Sequence, residues 1–435
     1  MKGKSVYIKT YGCQMNMHET EKMYADFESE GCIVADKIDA ADIIIYNTCC
    51  IREGAETRVL GNLGIAKKLK EKNRKLIIAI CGCMTQRPEM AEYLHKRCPF
   101  INVITGTFGL KNIISMIKCA DGGYLSDLTV DESVPDGVNC ARRSDAVNNY
   151  VNITYGCNNY CTYCIVPYVK GRERSRRLID IVDEVKTLIR GGAKEITLLG
   201  QNVNSYNDAG GNDFYALLSE IAALDGEFWV KFMTSHPKDL SLDVIKLIGQ
   251  EEKLANYIHL PLQSGSDDIL RRMNRKYDFA GYMQKIDWIK TYIPDAGITS
   301  DVIIGFPGET DGDFEKTLDA VKKIGFHNLF MFLYSKRKGT PAADMERQVS
   351  DSVKKERIGR LIAVQSEIEN KLAQDCVGKT YKTLFDGRGG NAGKNQSDKP
   401  IVIEDGRRIE LYNCFTDVEI TKAVNSKLYG KIKEN

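Results

Sequence analysis

Short runs of apolar, β-branched residues alternate with helical stretches along the first 140 residues. The apolar runs predict four strands, at 5–10, 42–47, 75–80 and 101–106. Helical periodicity predicts helices near 17–30, 54–71, 87–97 and 109–119. Because strands that are apolar on both faces need helices on both sides, this alternation predicts a parallel, doubly wound sheet.

A polar stretch and a second alternation follow. Residues 120–149 are rich in Gly, Asp, Asn and Ser, which places a domain boundary near 140–147. Six strand patterns come next, at 150–154, 195–200, 229–234, 257–262, 298–305 and 329–334, with helical stretches between and after them. Six βα units predict an incomplete parallel barrel, whose functional loops follow the carboxyl ends of the strands.

The last part of the chain has a different pattern. A helical stretch at 351–375 leads into short strand patterns at 377–385, 399–405, 407–412 and 416–424. Gly- and Asn-rich segments such as DGRGGNAGKN (386–395) are predicted to be turns between them, so a small β-barrel is expected. The prediction is an α/β protein with domains at 1–140, 147–375 and 376–435.

Composition narrows the class of protein. The chain has 435 residues, 43% hydrophobic and 28% charged, with a net charge of +2. No apolar run approaches the length that crosses a membrane, and the first residues lead straight into a strand pattern, so a cytoplasmic protein is expected. A nucleic-acid partner would have to be bound by local basic patches. Fourteen cysteines in such a chain indicate metal or redox chemistry.

Three of these cysteines, here called the loop cysteines, form a C-x₃-C-x₂-C array: Cys157, Cys161 and Cys164. A structural zinc ion needs a fourth protein ligand, but the next histidine along the chain is His236. An iron–sulfur cube held by three cysteines would leave one iron free to bind a substrate. Three packed cysteines are the alternative.

Three more cysteines, here called the strand-end cysteines, follow the first three long strands of the predicted sheet: Cys13, Cys49 and Cys83. The carboxyl ends of parallel strands gather at one edge of a sheet, so a second metal site is possible there. Buried free cysteine is an equally good explanation. Cys50 and Cys81 are rival ligands, and Cys81 is expected to pack. Four cysteines without a partner pattern are also expected to pack: Cys32, Cys98, Cys119 and Cys140.

Two other features concern binding. Polar residues follow the predicted barrel strands, among them Gln201, Asn204, Ser235, His236 and Gln263. The basic run KGRERSRR (170–177) follows the loop cysteines. It is expected to meet a phosphate backbone, with a solvated helix start as the alternative.

The motifs TYGCNNYCTYC, YGCQMN, NTCCIRE, GCMTQR and HLPLQSGSD together resemble those of the radical S-adenosylmethionine (SAM) methylthiotransferases. The resemblance covers essentially the whole chain and implies two [4Fe–4S] clusters. The loop cysteines would hold a cluster whose open iron binds SAM, which is cleaved to a 5′-deoxyadenosyl radical. The strand-end cysteines would hold an auxiliary cluster. Four residues stand at or near positions that contact SAM: Gln201, Gln263, Arg275 and Ile303. The tail resembles the RNA-binding TRAM domain.

The resemblance is to the MiaB-type branch of that family. It implies insertion of a methylthio group at C2 of N6-isopentenyladenosine at position 37 of tRNA, in the anticodon stem-loop. It also implies a reductant such as flavodoxin or ferredoxin and a monomeric enzyme, while the sulfur donor stays open. The alternatives are methylthiolation of threonylcarbamoyladenosine or of a ribosomal protein, and a non-catalytic electron carrier or RNA-binding protein.

Overall fold

The computed structural model of the protein describes residues 1–50, 53–120, 122–134, 145–387, 390–404 and 411–433. The chain forms two units. The amino-terminal unit contains Met1–Ser144, Thr154–Asn158 and Cys164–Arg176. The barrel unit contains Asp145–Ile153, Asn159–Tyr163 and Arg177–Asn435. The expected boundary near 140–147 lies largely outside the described residues.

The amino-terminal unit is built on a parallel sheet with strand order β2-β1-β3-β4-β5-β6. Its first ten elements are β1 (Ser5–Thr10), α1 (Gln14–Ser29), β2 (Ile33–Val34), β3 (Ile43–Thr48), α2 (Glu53–Lys72), β4 (Ile77–Gly82), α3 (Pro88–Arg97), β5 (Val103–Thr105), α4 (Ile113–Ala120) and β6 (Leu125–Asp127). The doubly wound fold is confirmed. The sequence analysis missed β2 and β6, which are short strands at the two edges of the sheet.

Alternate residues of the strands pack on opposite faces of this sheet. In β3, Ile43 and Ile45 join a cluster with residues of α1 and α4, whereas Ile44 and Tyr46 join a cluster with residues of α2 and α3. All of β3 is buried for this reason. Burial on both faces explains why the strand is a continuous apolar run rather than an alternating one.

The segment around the loop cysteines is divided between the units. After β7 (Asn148–Asn152), which belongs to the barrel unit, three short elements lie in the amino-terminal unit: β8 (Thr154–Tyr155), α5 (Val166–Lys170) and β9 (Arg174–Ser175). Strands β8 and β9 pair antiparallel. Val169 of α5 packs in the same cluster as α2 and α3.

The barrel unit contains the six expected parallel strands, in two three-stranded sheets of order β11-β10-β7 and β12-β13-β14. Its elements after β9 are α6 (Leu178–Arg190), β10 (Glu195–Leu199), α7 (Phe214–Ala222), β11 (Trp229–Phe232), α8 (Leu242–Gln250), β12 (Tyr257–His259), α9 (Asp267–Arg272), α10 (Phe279–Tyr292), β13 (Gly297–Ile304), α11 (Asp311–Ile324), β14 (Asn328–Leu333) and α12 (Asp351–Gln374). Helix α11 begins with a capping box between Thr310 and Asp313, which fixes the chain direction after β13.

A closed five-stranded barrel of order β15-β16-β17-β19-β18 ends the chain. Its strands are β15 (Thr380–Asp386), β16 (Ala392–Asn395), β17 (Pro400–Ile403), β18 (Tyr412–Val424) and β19 (Lys427–Ile432). The small barrel is confirmed, but the prediction that 386–395 is only a turn is wrong, because β16 lies within it. Most of the predicted strand at 407–412 lies outside the described residues.

The small barrel packs against the start of β10 and against β11 through buried charges. Lys231 of β11 forms ion pairs with Glu195 at 3.0 Å and with Asp398 at 2.9 Å. Lys394 forms a second ion pair with Glu195 at 2.7 Å. The contact involves the first residue of β10 and the third residue of β11. Among the described residues, no helix is both long and apolar enough to cross a membrane.

Candidate active site

The strand-end cysteines lie at the carboxyl ends of three adjacent strands. Cys13 is the N-cap residue of α1 after β1, Cys49 follows β3, and Cys83 follows β4. The strand order reverses between β1 and β3, and ligands of doubly wound sheets bind at such a reversal. The fold therefore brings cysteines from distant parts of the sequence to the edge where a ligand is expected.

Two glycines let the strand ends approach one another. A methyl group on Gly12 would overlap the Cβ of Cys49 and lie 2.8 Å from its Sγ. One on Gly82 would lie 2.9 Å from Asn47 Oδ1 and would overlap a backbone oxygen of β3. Both have positive φ, +110° and +101°. Glycine is required at both positions because they combine a left-handed backbone with a close contact.

Asn16, in the YGCQMN motif, links the same strand ends. Its Nδ2 donates to the carbonyl oxygens of Tyr11 and Thr48, each at 3.0 Å. Asn47 Nδ2 in turn donates to the carbonyl oxygen of Asn16 at 3.0 Å. Asn16 thus holds the turn that carries Cys13 against the end of β3. Sequence reasoning did not find this role, although the motif was visible.

Hydrogen bonding shifts the pKa values of two neighbouring thiols in opposite directions. Cys50 donates to Cys83, which lowers the pKa of Cys83 and raises that of Cys50. Cys83 is therefore the better thiolate, and thiolates are the form that binds metal. Cys50 reaches Cys83, whereas Cys49 lies beside Gly12. Cys81 is fully buried in the opposite face of the sheet, and its Sγ lies 3.7 Å from the carbonyl oxygen of Tyr46.

A single metal ion would need the strand-end cysteines to converge on one point, whereas an iron–sulfur cluster would not. In the described part of the chain, no three His, Cys, Asp or Glu side chains are close enough together to hold one metal ion. In a cube, each thiolate binds a different iron, so the three sulfur atoms need not converge on one point.

Lys170, at the end of α5, is a further residue of this site that sequence reasoning missed. It is buried in the amino-terminal unit, with Nζ 2.9 Å from Met15 Sδ. Burial alone would lower its pKa. Four negative groups outweigh that effect and raise the pKa above its ordinary value: Cys83, Cys13, Glu19 and Cys49.

The loop cysteines have different surroundings in the two units. In the amino-terminal unit, the Cys157 N–H donates to the carbonyl oxygen of Gly171 at 3.2 Å, and Cys164 precedes α5. In the barrel unit, Thr162 fixes the segment that carries Cys161. The Thr162 N–H donates to the carbonyl oxygen of Met273, and the Thr162 hydroxyl donates to the carbonyl oxygen of Arg272.

Arg275, one of the expected SAM contacts, lies directly against Cys161. Its Nη1 donates to the Cys161 Sγ at 3.1 Å, and its Nε donates to the Tyr277 hydroxyl at 3.2 Å. The Tyr277 hydroxyl donates to the carbonyl oxygen of Leu262, at 2.8 Å. The guanidinium of Arg275 therefore fixes the position of a sulfur atom that is expected to hold a cluster.

The other expected SAM contacts lie at carboxyl ends of the barrel strands. Gln263 has φ +68°, and its backbone pairs with β13, since the Ile303 N–H donates to the Gln263 carbonyl at 3.0 Å. Ile303 packs against the buried cluster that contains Met273 and Phe306. Gln201 follows β10, on the other three-stranded sheet. The structure thus connects Arg275, Gln263 and Ile303 through neighbouring segments.

Three more polar residues on this rim have buried atoms without a partner among the described residues: Asn204 Nδ2, Ser235 Oγ and His236 Nε2. Burial, Arg275 and Lys238 lower the pKa of His236 to about 2, so the ring is neutral. Its Nδ1 accepts from the Lys238 N–H at 3.3 Å, which leaves the proton on Nε2. The rim can therefore donate hydrogen bonds to acceptor atoms of a ligand.

The basic run at 170–177 is less exposed than expected. Lys170 and Arg176 are buried, and Arg174 is half-buried with its guanidinium over the Phe108 ring. Arg177 is exposed but pairs with Asp180 at 2.7 Å. The expectation that the run meets a phosphate backbone is wrong for the buried residues.

Of the cysteines expected to pack, Cys32 is buried, Cys98 is half-buried and Cys119 is exposed. Cys140 lies outside the described residues.

Comparison with known proteins agrees with this geometry. Residues 151–321 match the model of the Radical SAM superfamily, and residues 5–106 match that of Uncharacterized protein family UPF0004. The fold is similar to that of TsrM, a radical SAM methyltransferase from Kitasatospora setae solved with cobalamin and a [4Fe-4S] cluster. The TM-score is 0.59 and the identity 14%, over 78% of this chain and 74% of that chain. The matched model thus places the Radical SAM pattern in the barrel strands and helices from β7 to α11, and the similarity to TsrM concerns the fold.

Relatives of known name define the family more closely. The chain is 45% identical to the tRNA-2-methylthio-N(6)-dimethylallyladenosine synthase of Caldicellulosiruptor saccharolyticus, over 99% of this chain and 93% of that protein. It is 48% identical to the protein of the same name from Clostridium botulinum strain Hall, over 97% and 94%. The chain belongs to this family of radical SAM methylthiotransferases. The membership confirms the expected cofactors, [4Fe–4S] clusters and SAM.

Proposed function

We propose that the protein inserts a methylthio group at C2 of N6-isopentenyladenosine at position 37 of tRNA. The observation that carries this proposal is the presence of two cysteine trios in one chain, one at the ends of β1, β3 and β4 and one in the loop after β8. A radical cluster alone could cleave SAM. A second cluster gives sulfur a place to be held, and the near-full-length similarity to named synthases supports both assignments.

Each residue set has a separate task in this proposal. The strand-end cysteines Cys13, Cys49 and Cys83 hold the auxiliary cluster. The loop cysteines Cys157, Cys161 and Cys164 hold the radical cluster and leave one iron for SAM. When bound, these cofactors supply the radical and the sulfur that an unactivated aromatic C–H bond requires. Arg275 orients Cys161 through its hydrogen bond to the sulfur atom, and four residues contact SAM: Gln201, Gln263, Arg275 and Ile303.

The substrate is proposed to be the anticodon stem-loop of tRNA. Proteins read RNA base by base in single-stranded loops, where a base can be turned out towards an active site. The small β-barrel at the end of the chain is of a type that often binds oligonucleotides. The enzyme is proposed to act as a cytoplasmic monomer with flavodoxin or ferredoxin as reductant.

The direct test is mass spectrometry of nucleosides from tRNA incubated with the anaerobically reconstituted protein, SAM and a reductant. Two tRNA samples are compared, one isopentenylated at position 37 and one carrying unmodified adenosine. We expect 2-methylthio-N6-isopentenyladenosine from the first and no product from the second. Product only from the unmodified tRNA, or only from tRNA carrying threonylcarbamoyladenosine, would contradict the substrate assignment.

A further inference from the structure

Lys170 is a buried cation with no carboxylate in ion-pair contact among the residues that the structure describes. The residue is 6% exposed, at the end of α5. An ammonium group has three donors. One of them points at Met15 Sδ, a weak acceptor, and no carboxylate among the described residues forms an ion pair with Nζ.

The barrel unit shows how this chain pairs a buried lysine when the charge is only structural. Lys231 is also buried, and two carboxylates lie within ion-pair distance, Glu195 at 3.0 Å and Asp398 at 2.9 Å. Removing an ammonium from water costs several kcal/mol unless charges and hydrogen bonds in the protein replace the water. For Lys231 the protein supplies that replacement. For Lys170, a further anionic group at the site would supply it.

The groups around Lys170 indicate what that anion is. Four groups act electrostatically on its ammonium: the three strand-end cysteines, Cys83, Cys13 and Cys49, and one carboxylate, Glu19. Met15, its hydrogen-bond acceptor, lies in the first turn of α1, two residues after Cys13. Three thiolates around a cluster carry a net negative charge, which becomes more negative when the cluster gains an electron.

We propose that Lys170 is a positioning residue for the auxiliary cluster. The positive charge of Lys170 stabilises the reduced cluster and so raises the reduction potential of that cluster. The inference rests on the proposed function, because it assumes a cluster on the strand-end cysteines. Net charge and hydrogen bonds near the sulfur atoms are among the main determinants of the potential of an iron–sulfur cluster. A buried ammonium acts strongly because little water screens it.

The test is a redox titration of the full-length protein, followed by electron paramagnetic resonance. The loop cysteines are replaced (C157A/C161A/C164A) so that only the auxiliary cluster remains. Three further changes are compared in that background: Lys170→Met, which removes the charge at similar size, Lys170→Arg, which keeps it, and the exposed control Lys72→Met. We expect a shift to more negative potential in Lys170→Met alone, with iron and sulfide content unchanged. An unchanged potential in a fully loaded Lys170→Met protein would overturn the inference.

Thermal unfolding of the metal-free proteins separates this role from a structural one. Metal-free Lys170→Met should remain folded, because methionine is of similar size and no ion pair with a described residue is lost. Loss of the folded state would mean that Lys170 mainly holds the fold, and would also overturn the inference. If folded Lys170→Met fails to load while Lys170→Arg loads, the charge requirement is supported. Failure of the parent itself to bind iron would contradict the proposed function rather than the role of Lys170 alone.

Discussion

The two cysteine trios are built in different ways. The loop cysteines lie close together in sequence, and the one in the barrel unit contacts a buried arginine, with 3.1 Å between Arg275 Nη1 and Cys161 Sγ. The strand-end cysteines are spread over the first 83 residues and come to one edge only because β1, β3 and β4 are neighbours in the sheet. Their buried cation, Lys170, comes from yet another part of the chain.

This difference shows what each trio depends on. A compact loop encodes its ligands locally, so its chemistry could be recognised from spacing alone. The strand-end trio depends on strand order, on two glycines that allow close approach and on Asn16 between the strand ends. Changes that disturb the packing of the ends of β1, β3 and β4 should therefore damage the strand-end trio more than the loop trio.

The largest expected effect separates the two trios by activity. Cys161→Ala should abolish SAM cleavage and methylthiolation, because the radical cluster loses a ligand. Cys13→Ala should abolish methylthiolation but leave measurable SAM cleavage. Formation of 5′-deoxyadenosine and of the methylthiolated nucleoside is measured for both variants, with Cys119→Ala at an exposed cysteine as the control. Equal loss of both activities in Cys13→Ala would mean that the strand-end cysteines serve only the fold.

Replacing the arginine on Cys161 should have the next largest effect. Arg275→Lys keeps the charge but loses the planar pair of contacts to Cys161 and Tyr277. Loss of a group that orients a metal ligand typically lowers activity about 10–100-fold, and SAM cleavage should fall by that amount. Arg271→Lys, at an exposed ion pair on α9, is the matched control. Full SAM cleavage in Arg275→Lys would exclude a role at the radical cluster.

A glycine substitution tests the dependence of the strand-end trio on close packing. Gly12→Ala combines a left-handed backbone with a clash against Cys49 and should destabilise the protein by about 2–3 kcal/mol. Gly64→Ala, on an exposed face of α2 with open space around it, should stabilise by about 0.5–1 kcal/mol. Denaturant unfolding of the metal-free proteins measures both. Equal stabilities would mean that the strand ends are not tightly apposed.

The smallest effect concerns pH and the barrel unit. Burial and nearby lysines lower the pKa of His236 to about 2 and that of His327 to about 3. Arg275 also contributes to the lowered pKa of His236. The unfolded chain therefore binds more protons than the folded chain below about pH 6.5. Stability should fall as the pH drops from there towards the folded values, by at most about 1.4 kcal/mol per pH unit for each histidine. His236→Gln should reduce this slope, and an unchanged slope would contradict the burial of a neutral ring.

Much of the fold could be predicted from sequence because the apolar pattern is strong. Strand β1 coincides with its predicted bounds. The doubly wound parallel sheet, the six parallel strands of the incomplete barrel and the small β-barrel were all expected. Strand β16 was missed because its Gly-rich sequence is typical of a turn, and only pairing with β15 and β17 makes it a strand. Local preference gave way there to tertiary contacts.

The candidate site was predictable in part for a related reason. Cysteine spacing and strand ends identified both trios, but the charge pattern placed Lys170 on the surface, where a lysine in a basic run belongs by composition. Its burial depends on α5 packing in the amino-terminal unit, which the local sequence does not reveal. The role of Asn16 likewise depends on which strands are neighbours.

The most direct test of the central claim is the iron and sulfide content of the anaerobically reconstituted full-length chain. Two separate [4Fe–4S] clusters predict about eight iron atoms per chain, and about four in each of the variants C157A/C161A/C164A and C13A/C49A/C83A. A wild-type chain with about four, or a C157A/C161A/C164A variant with none, would contradict the account.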